Sequence, residues 1–170
     1  DTELDICYYK AAAQYAGGDI EGALATYQAM IDYDEENGNA YYLHGCLSLK
    51  QQDTDTAKKD FANAVKYNPD DYELYVGIYE NLAGNNMTEE GEEYLNKAFD
   101  IKGNSAENLT WRGRIYYLLG QYDNAVKELE GAVKKDSAKA NLYLAQVYEA
   151  EEDSANAEKY YQAYVDSGTA

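Results

Sequence analysis

The 170-residue chain is poor in the side chains that build most active sites. It has one histidine, His44, two cysteines, Cys7 and Cys46, and 14 basic residues against 32 acidic ones. Two cysteines cannot form a disulfide framework, and with a single histidine they match no zinc-binding spacing. His44 and Cys46 lie two apart, so on a helix they would point in different directions. One histidine also leaves little room for a nucleophile and base pair, and no glycine cluster follows a strand-like run as a phosphate-binding loop would. We therefore expect no enzyme activity, no metal and no cofactor.

The shortage of positive charge excludes partners as well. A formal charge of −18, spread over both halves of the chain, repels nucleic-acid phosphates and anionic lipid headgroups. No apolar run reaches the roughly 18 residues of a membrane span, so no direct membrane insertion is expected. An opening Asp1 in place of methionine implies upstream processing or truncation. We expect an extracytoplasmic setting, processed or lipid-anchored, in preference to a cytoplasmic one.

What the chain has in abundance is self-similarity. A small residue, a bulky one four positions on and an apolar one three further recur as Ala23/Tyr27/Met30, Ala57/Phe61/Ala64, Gly91/Leu95/Ala98, Ala125/Leu129/Ala132 and Ala157/Tyr161/Tyr164. The first members are spaced by 34 residues, and by 32 at the last step. A second series runs upstream: Cys7 with Ala11, Tyr41 with Gly45, Tyr75 with Tyr79, Leu109 with Gly113, and Asn141 with Ala145. Turn residues separate the two series in each unit, at Gly17-Gly18-Asp19, Gln52-Asp53, Gly84-Asn85-Asn86, Gly120-Gln121 and Glu152-Asp153. Each unit is predicted to be helix, short turn, helix. One such hairpin cannot bury its apolar face alone, so hairpins must stack, with small residues admitting close approach.

This pattern resembles the tetratricopeptide repeat, with its 34-residue period and W-x2-L-G-x2-Y…A-x3-F…P signature. The similarity is carried by Tyr41 through Gly45, Ala57, Phe61 and Ala64 to Pro69, and by Gly113 through Tyr116, Gly120, Tyr122, Ala125 and Leu129 to Ala132. The departures are His44 and Arg112 in place of leucine, Gly91 in place of alanine, and Lys10 and Gln14 in the first repeat. The resemblance implies an all-α, right-handed superhelical solenoid of antiparallel helical hairpins. It implies one array over 1–170, with repeats at about 4–37, 38–71, 72–105, 106–137 and 138–167.

The resemblance also places a partner-binding groove on the first helix of each hairpin. The corresponding stripe holds Asp5, Tyr8, Ala12 and Tyr15, then Asn39, Tyr42, Cys46, Leu49 and Lys50. It continues through Glu73, Val76, Glu80, Glu107, Thr110, Arg114 and Tyr117 to Lys139, Leu142, Gln146 and Glu149. Tyr8, Tyr15, Tyr42 and Tyr117 are the leading contact candidates, since tyrosine combines a flat apolar ring with a polar tip. Tyr27, Tyr116, Tyr148 and Tyr161 are assigned to the core. The lysine and asparagine clamp of chaperone-binding members is missing, because Tyr8 and Ala12 stand where it would begin.

The expected function is that of a scaffold or adaptor gripping a peptide or protein segment. A basic segment fits the charge better than an acidic one. The alternative is an accessory part of an exported or cell-surface assembly, associated with polysaccharide or envelope. The final hairpin lacks a polar capping helix, so its face is expected to pair with a second copy, to continue into further residues or to fray.

Overall fold

The computed structural model describes residues 2–168. Among these residues ten α-helices run in order: α1 (Thr2–Ala16), α2 (Ile20–Tyr33), α3 (Gly38–Lys50), α4 (Thr54–Tyr67), α5 (Tyr72–Ala83), α6 (Thr88–Lys97), α7 (Ala106–Leu118), α8 (Tyr122–Val133), α9 (Ala138–Ala150) and α10 (Ser154–Asp166). A short 3₁₀ turn, Ala98–Asp100, extends α6. No strand occurs among the described residues. The chain divides into two compact units, 1–94 and 95–170, with the boundary inside α6.

The hairpin turns show why the period is so regular. Gly18, Gln52, Asn86, Gly120 and Glu152 all have positive φ, between 61° and 83°. They occupy one register position in the five turns. The next residue in each case donates its N–H to a carbonyl five residues back: Asp19 to Gln14, Asp53 to Ser48, Met87 to Leu82, Gln121 to Tyr116 and Asp153 to Tyr148, at 2.8–3.0 Å. This pattern satisfies carbonyls that a helix end would leave unpaired. In three turns the same residue then starts the next helix, since the Asp19, Asp53 and Asp153 carboxylates accept from Gly22, Thr56 and Asn156 N–H groups. Stop and start signals are thus fused, which gives tight, equivalent turns.

Packing within hairpins rests on the small residues. A Cβ on Gly45 would stand 3.0 Å from Phe61, and one on Gly113 would stand 2.4 Å from Leu129 Cγ. The third hairpin reverses the sizes. Tyr79 occupies the position that is Ala11, Gly45, Gly113 or Ala145 elsewhere, and its ring would lie 3.0 Å from a Cβ on Gly91. Gly91 is therefore the complement of Tyr79, which accounts for its departure from alanine.

In the first unit α3 docks on the first hairpin, placing Ala40 and Leu47 among Ala11, Ala23, Tyr27, Met30 and Ile31. A second cluster joins α3, α4 and α5 through Leu49, Phe61, Leu74, Ile78 and Leu82. In the second unit Ala125, Leu129, Ala132, Tyr143, Leu144 and Val147 unite α8 with α9. Burial of such side chains, at about 25 cal/mol per Å², is what hairpin stacking gains.

His44 and Arg112, the two departures from leucine, make one kind of cross-helix contact. His44 Nδ1 lies 2.6 Å from the Asp60 carboxylate, and Arg112 lies 3.0 Å from Glu128. Each joins the first helix of its hairpin to the second at the same register position.

Candidate functional site

The first helices of successive hairpins are neighbours within each unit, α3 against α5 and α7 against α9. The stripe expected from the sequence is distributed over them unevenly. Leu49, Val76 and Thr110 are buried and present no contact surface. For Thr110 the reason is local: its hydroxyl donates to the Ala106 carbonyl, and Ser137 on the approach to α9 lies 2.8 Å away.

In the first unit, Tyr15 is 42% exposed and the Lys50 ammonium stands 5.7 Å from its ring centroid. This pair joins the C-terminal ends of α1 and α3 as a cation–π contact. Asn39 is exposed, and its carbonyl accepts from the Asn68 amide at 3.2 Å. Glu73 and Glu80 are exposed on α5.

Two of the tyrosines are tied inward. Tyr8 donates to Asn37 Oδ1 at 2.8 Å, the atom that also caps α3 through the Ala40 N–H. Burial pushes its phenol pKa up. The Tyr42 ring lies 6.2 Å from Phe61, and its hydroxyl accepts from Asn81 at 3.4 Å. Burial raises the Tyr42 pKa strongly and pushes the neighbouring Cys46 thiol up to about 11. Both are half-buried, wedged between α3 and the helices beside it.

In the second unit the stripe converges. The Arg114 guanidinium lies 5.5 Å from the Trp111 ring and 5.5 Å from the Tyr143 ring. It also donates to the Tyr143 hydroxyl at 3.3 Å. The Lys139 ammonium stands 5.8 Å from Trp111 and 6.0 Å from Tyr143. Two cations and two rings from α7 and α9 thus form one patch. Tyr117 faces away from it, toward Tyr122 at 5.9 Å, and Gln146 is half-buried on α9.

Trp111 and Tyr143 were not singled out by sequence reasoning. The available signal was their spacing, Trp111 three before Arg114 and Tyr143 four after Lys139, which places each beside its cation on one helical face. Of the four tyrosines assigned to the core, Tyr27 is buried, while Tyr116, Tyr148 and Tyr161 are half-buried. Tyr116 packs 4.5 Å from Phe99 and Tyr148 stacks on Tyr160 at 5.6 Å, whereas Tyr161 donates to Glu149 at 2.9 Å.

Among the described residues no group of three or more His, Cys, Asp or Glu side chains could hold a metal ion. No helix among them is long and apolar enough to cross a membrane.

The tetratricopeptide repeat family matches the chain over residues 38–71 and again over 112–170. Comparison with curated protein sequences gives no match. Among solved structures, PilW, a widely conserved type IV pilus biogenesis factor, is 20% identical with a TM-score of 0.61, over 96% of this chain and 77% of that one. YrrB, a tetratricopeptide repeat protein with an unusual peptide-binding site, is 21% identical with a TM-score of 0.53, over 92% and 81%. A thermophilic repeat protein of Thermus thermophilus, TTC0263, is 21% identical with a TM-score of 0.57, over 95% and 90%. At these identities the likeness concerns the fold. Because the repeat displayed by the helices is also the one the sequence matches cover, the chain belongs to the tetratricopeptide repeat family, whose members are generally non-enzymatic scaffolds for protein–protein interaction.

Proposed function

We propose that the chain binds a segment of another protein on the first-helix stripe of its second unit, gripped by Trp111, Arg114 and Lys139 above the buried Tyr143 ring. The observation that carries this reading is the convergence of two cations on two aromatic rings at α7 and α9. Rings supply flat apolar area at low entropic cost, and Arg and Lys supply directed donors for carbonyls and carboxylates. Tyr15 with Lys50, and Asn39, Glu73 and Glu80, offer a mixed polar surface in the first unit. The overall charge of −18 draws a segment that is basic along most of its length.

Trp111 is the one tryptophan, so its fluorescence reports on this patch alone. A peptide array probed with the chain supplies ligands, which are then titrated in solution against that signal. Arg114→Ala with Lys139→Ala is expected to weaken binding about tenfold or more, as for a central contact cluster. Array hits whose affinity the double variant leaves unchanged would overturn the assignment.

Self-association through α10 is part of the same proposal, because Tyr160, Tyr161 and Tyr164 are only half-buried on that helix and Val165 is exposed. Sedimentation showing a strict monomer at high concentration would rule it out.

A further inference from the structure

The two helices of the first hairpin enclose a pocket of about 370 Å³ that the other described hairpins help to interpret. It is lined by Leu4, Cys7 and Lys10 of α1 and by Thr26, Ala29 and Tyr33 of α2, among others. Its volume lies at the lower end of the range for ligand sites. It belongs to the first unit, whereas the Trp111 patch belongs to the second, and the inference drawn from it does not depend on that patch.

The repeat supplies a comparison at each lining position. One period after Cys7 and Tyr33 come Tyr41 and Tyr67, whose rings stack at 5.9 Å and 15°. Three periods after Cys7 comes Leu109, which lies 3.4 Å from a Cβ placed on Gly131, the equivalent of Ala29. A large side chain thus reaches across to the second helix in both hairpins. In the first hairpin a cysteine stands there, and Tyr33 is left 70% exposed.

The polar rim repeats the comparison. The equivalents of Lys10 and Thr26 are His44 with Asp60, at 2.6 Å, and Arg112 with Glu128, at 3.0 Å. In the first hairpin the basic residue persists as Lys10, but its carboxylate has become Thr26, whose hydroxyl donates to Gln14 at 2.7 Å. Compared with the second hairpin, the first lacks one ring and one carboxylate, side by side.

We propose that the pocket is a docking site for a protein segment presenting an aromatic side chain next to a carboxylate. The ring stacks on Tyr33 in the space that Tyr41 fills over Tyr67, and the carboxylate pairs with Lys10 as Asp60 and Glu128 pair with their partners. Glu3 also lines the pocket, so its rim carries one charge of each sign, and the acidic neighbour is selected at Lys10, beside Thr26, where the second and fourth hairpins place their carboxylates.

The test uses the full chain, isotopically labelled, and the blocked dipeptide phenylalanyl-aspartate as probe. The chain's amide resonances over residues 3–10 and 25–33 are expected to shift on titration. Leucyl-aspartate and phenylalanyl-lysine are expected to bind about threefold or more weakly, in line with a single aromatic stack and an exposed ion pair. Cys7→Tyr rebuilds the second hairpin's arrangement and is expected to abolish binding. Lys10→Met, at an exposed position that leaves the fold intact, is expected to erase the preference for aspartate over lysine. Three results would each overturn the proposal: shifts absent from both segments, equal binding of phenylalanyl-lysine, or an aspartate preference that survives Lys10→Met.

Discussion

Tyr42 distinguishes a contact tyrosine from a structural one, and the structure sets the scale of the effect. Its ring lies 6.2 Å from the fully buried Phe61, and its hydroxyl stands 2.5 Å from where a Cβ on Gly77 would sit. Truncating a wholly buried aromatic residue costs about 3–5 kcal/mol; for the half-buried Tyr42 we expect about 2–3 kcal/mol. In a chain of this size that is a fall of roughly 5–10 °C in the thermal midpoint. Tyr42→Phe keeps the ring and loses one hydrogen bond of 3.4 Å, from an Asn81 amide that also donates to the Gly77 carbonyl at 2.9 Å. Its expected cost is below about 1 kcal/mol. Tyr15→Ala, at an exposed position, should stay within about 0.5 kcal/mol. Circular dichroism at 222 nm during heating measures all three. If Tyr42→Ala melts within 1 °C of the parent (on the scale of roughly 2–4 °C per kcal/mol), the ring contributes no packing and the argument from Phe61 and Gly77 fails.

Other expectations follow from single contacts. His44→Ala leaves the buried Asp60 carboxylate without its partner and should cost about 3 kcal/mol in urea denaturation, whereas an exposed pair would cost little. Gln52→Gly and Glu152→Gly relieve left-handed backbone at 63° and 61°; the relief of about 1–2 kcal/mol outweighs glycine's greater unfolded-state entropy, for a net gain of about 0.5–1 kcal/mol each. Asp53 caps α4, and its hydrogen bonds to Thr56 hold its pKa below the ordinary carboxylate value. A lowered pKa stabilises the folded state above about pH 4 and is lost as pH falls further, so the deficit of Asp53→Ala should be full at pH 7 and shrink toward pH 2. At pH 8 iodoacetamide should alkylate Cys7, which lines the pocket, well before Cys46, whose thiol burial pushes up to about 11; mass spectrometry of the digested chain reads the order.

The period, the hairpin turns and the small residues at the helix crossings were legible in the sequence because each is a local requirement repeated five times. A left-handed residue must end a helix at Gly18 and again at Gln52, Asn86, Gly120 and Glu152, and a small side chain must stand wherever two backbones approach. Repetition makes such requirements visible as spacing. Contacts between helices that differ from one hairpin to the next have no such signature. The partnership of Tyr79 with Gly91, the pairing of His44 with Asp60, the inward turn of Tyr42 and the meeting of Trp111 with Arg114, Lys139 and Tyr143 all join residues whose proximity depends on how helices pack. The pocket beside Cys7 belongs to the same class. Within the sequence Cys7 and Thr26 stand 19 residues apart with nothing to link them. Only the packing of α1 on α2 brings them to one place, where a missing ring and a missing carboxylate become a shape with a charge at its edge.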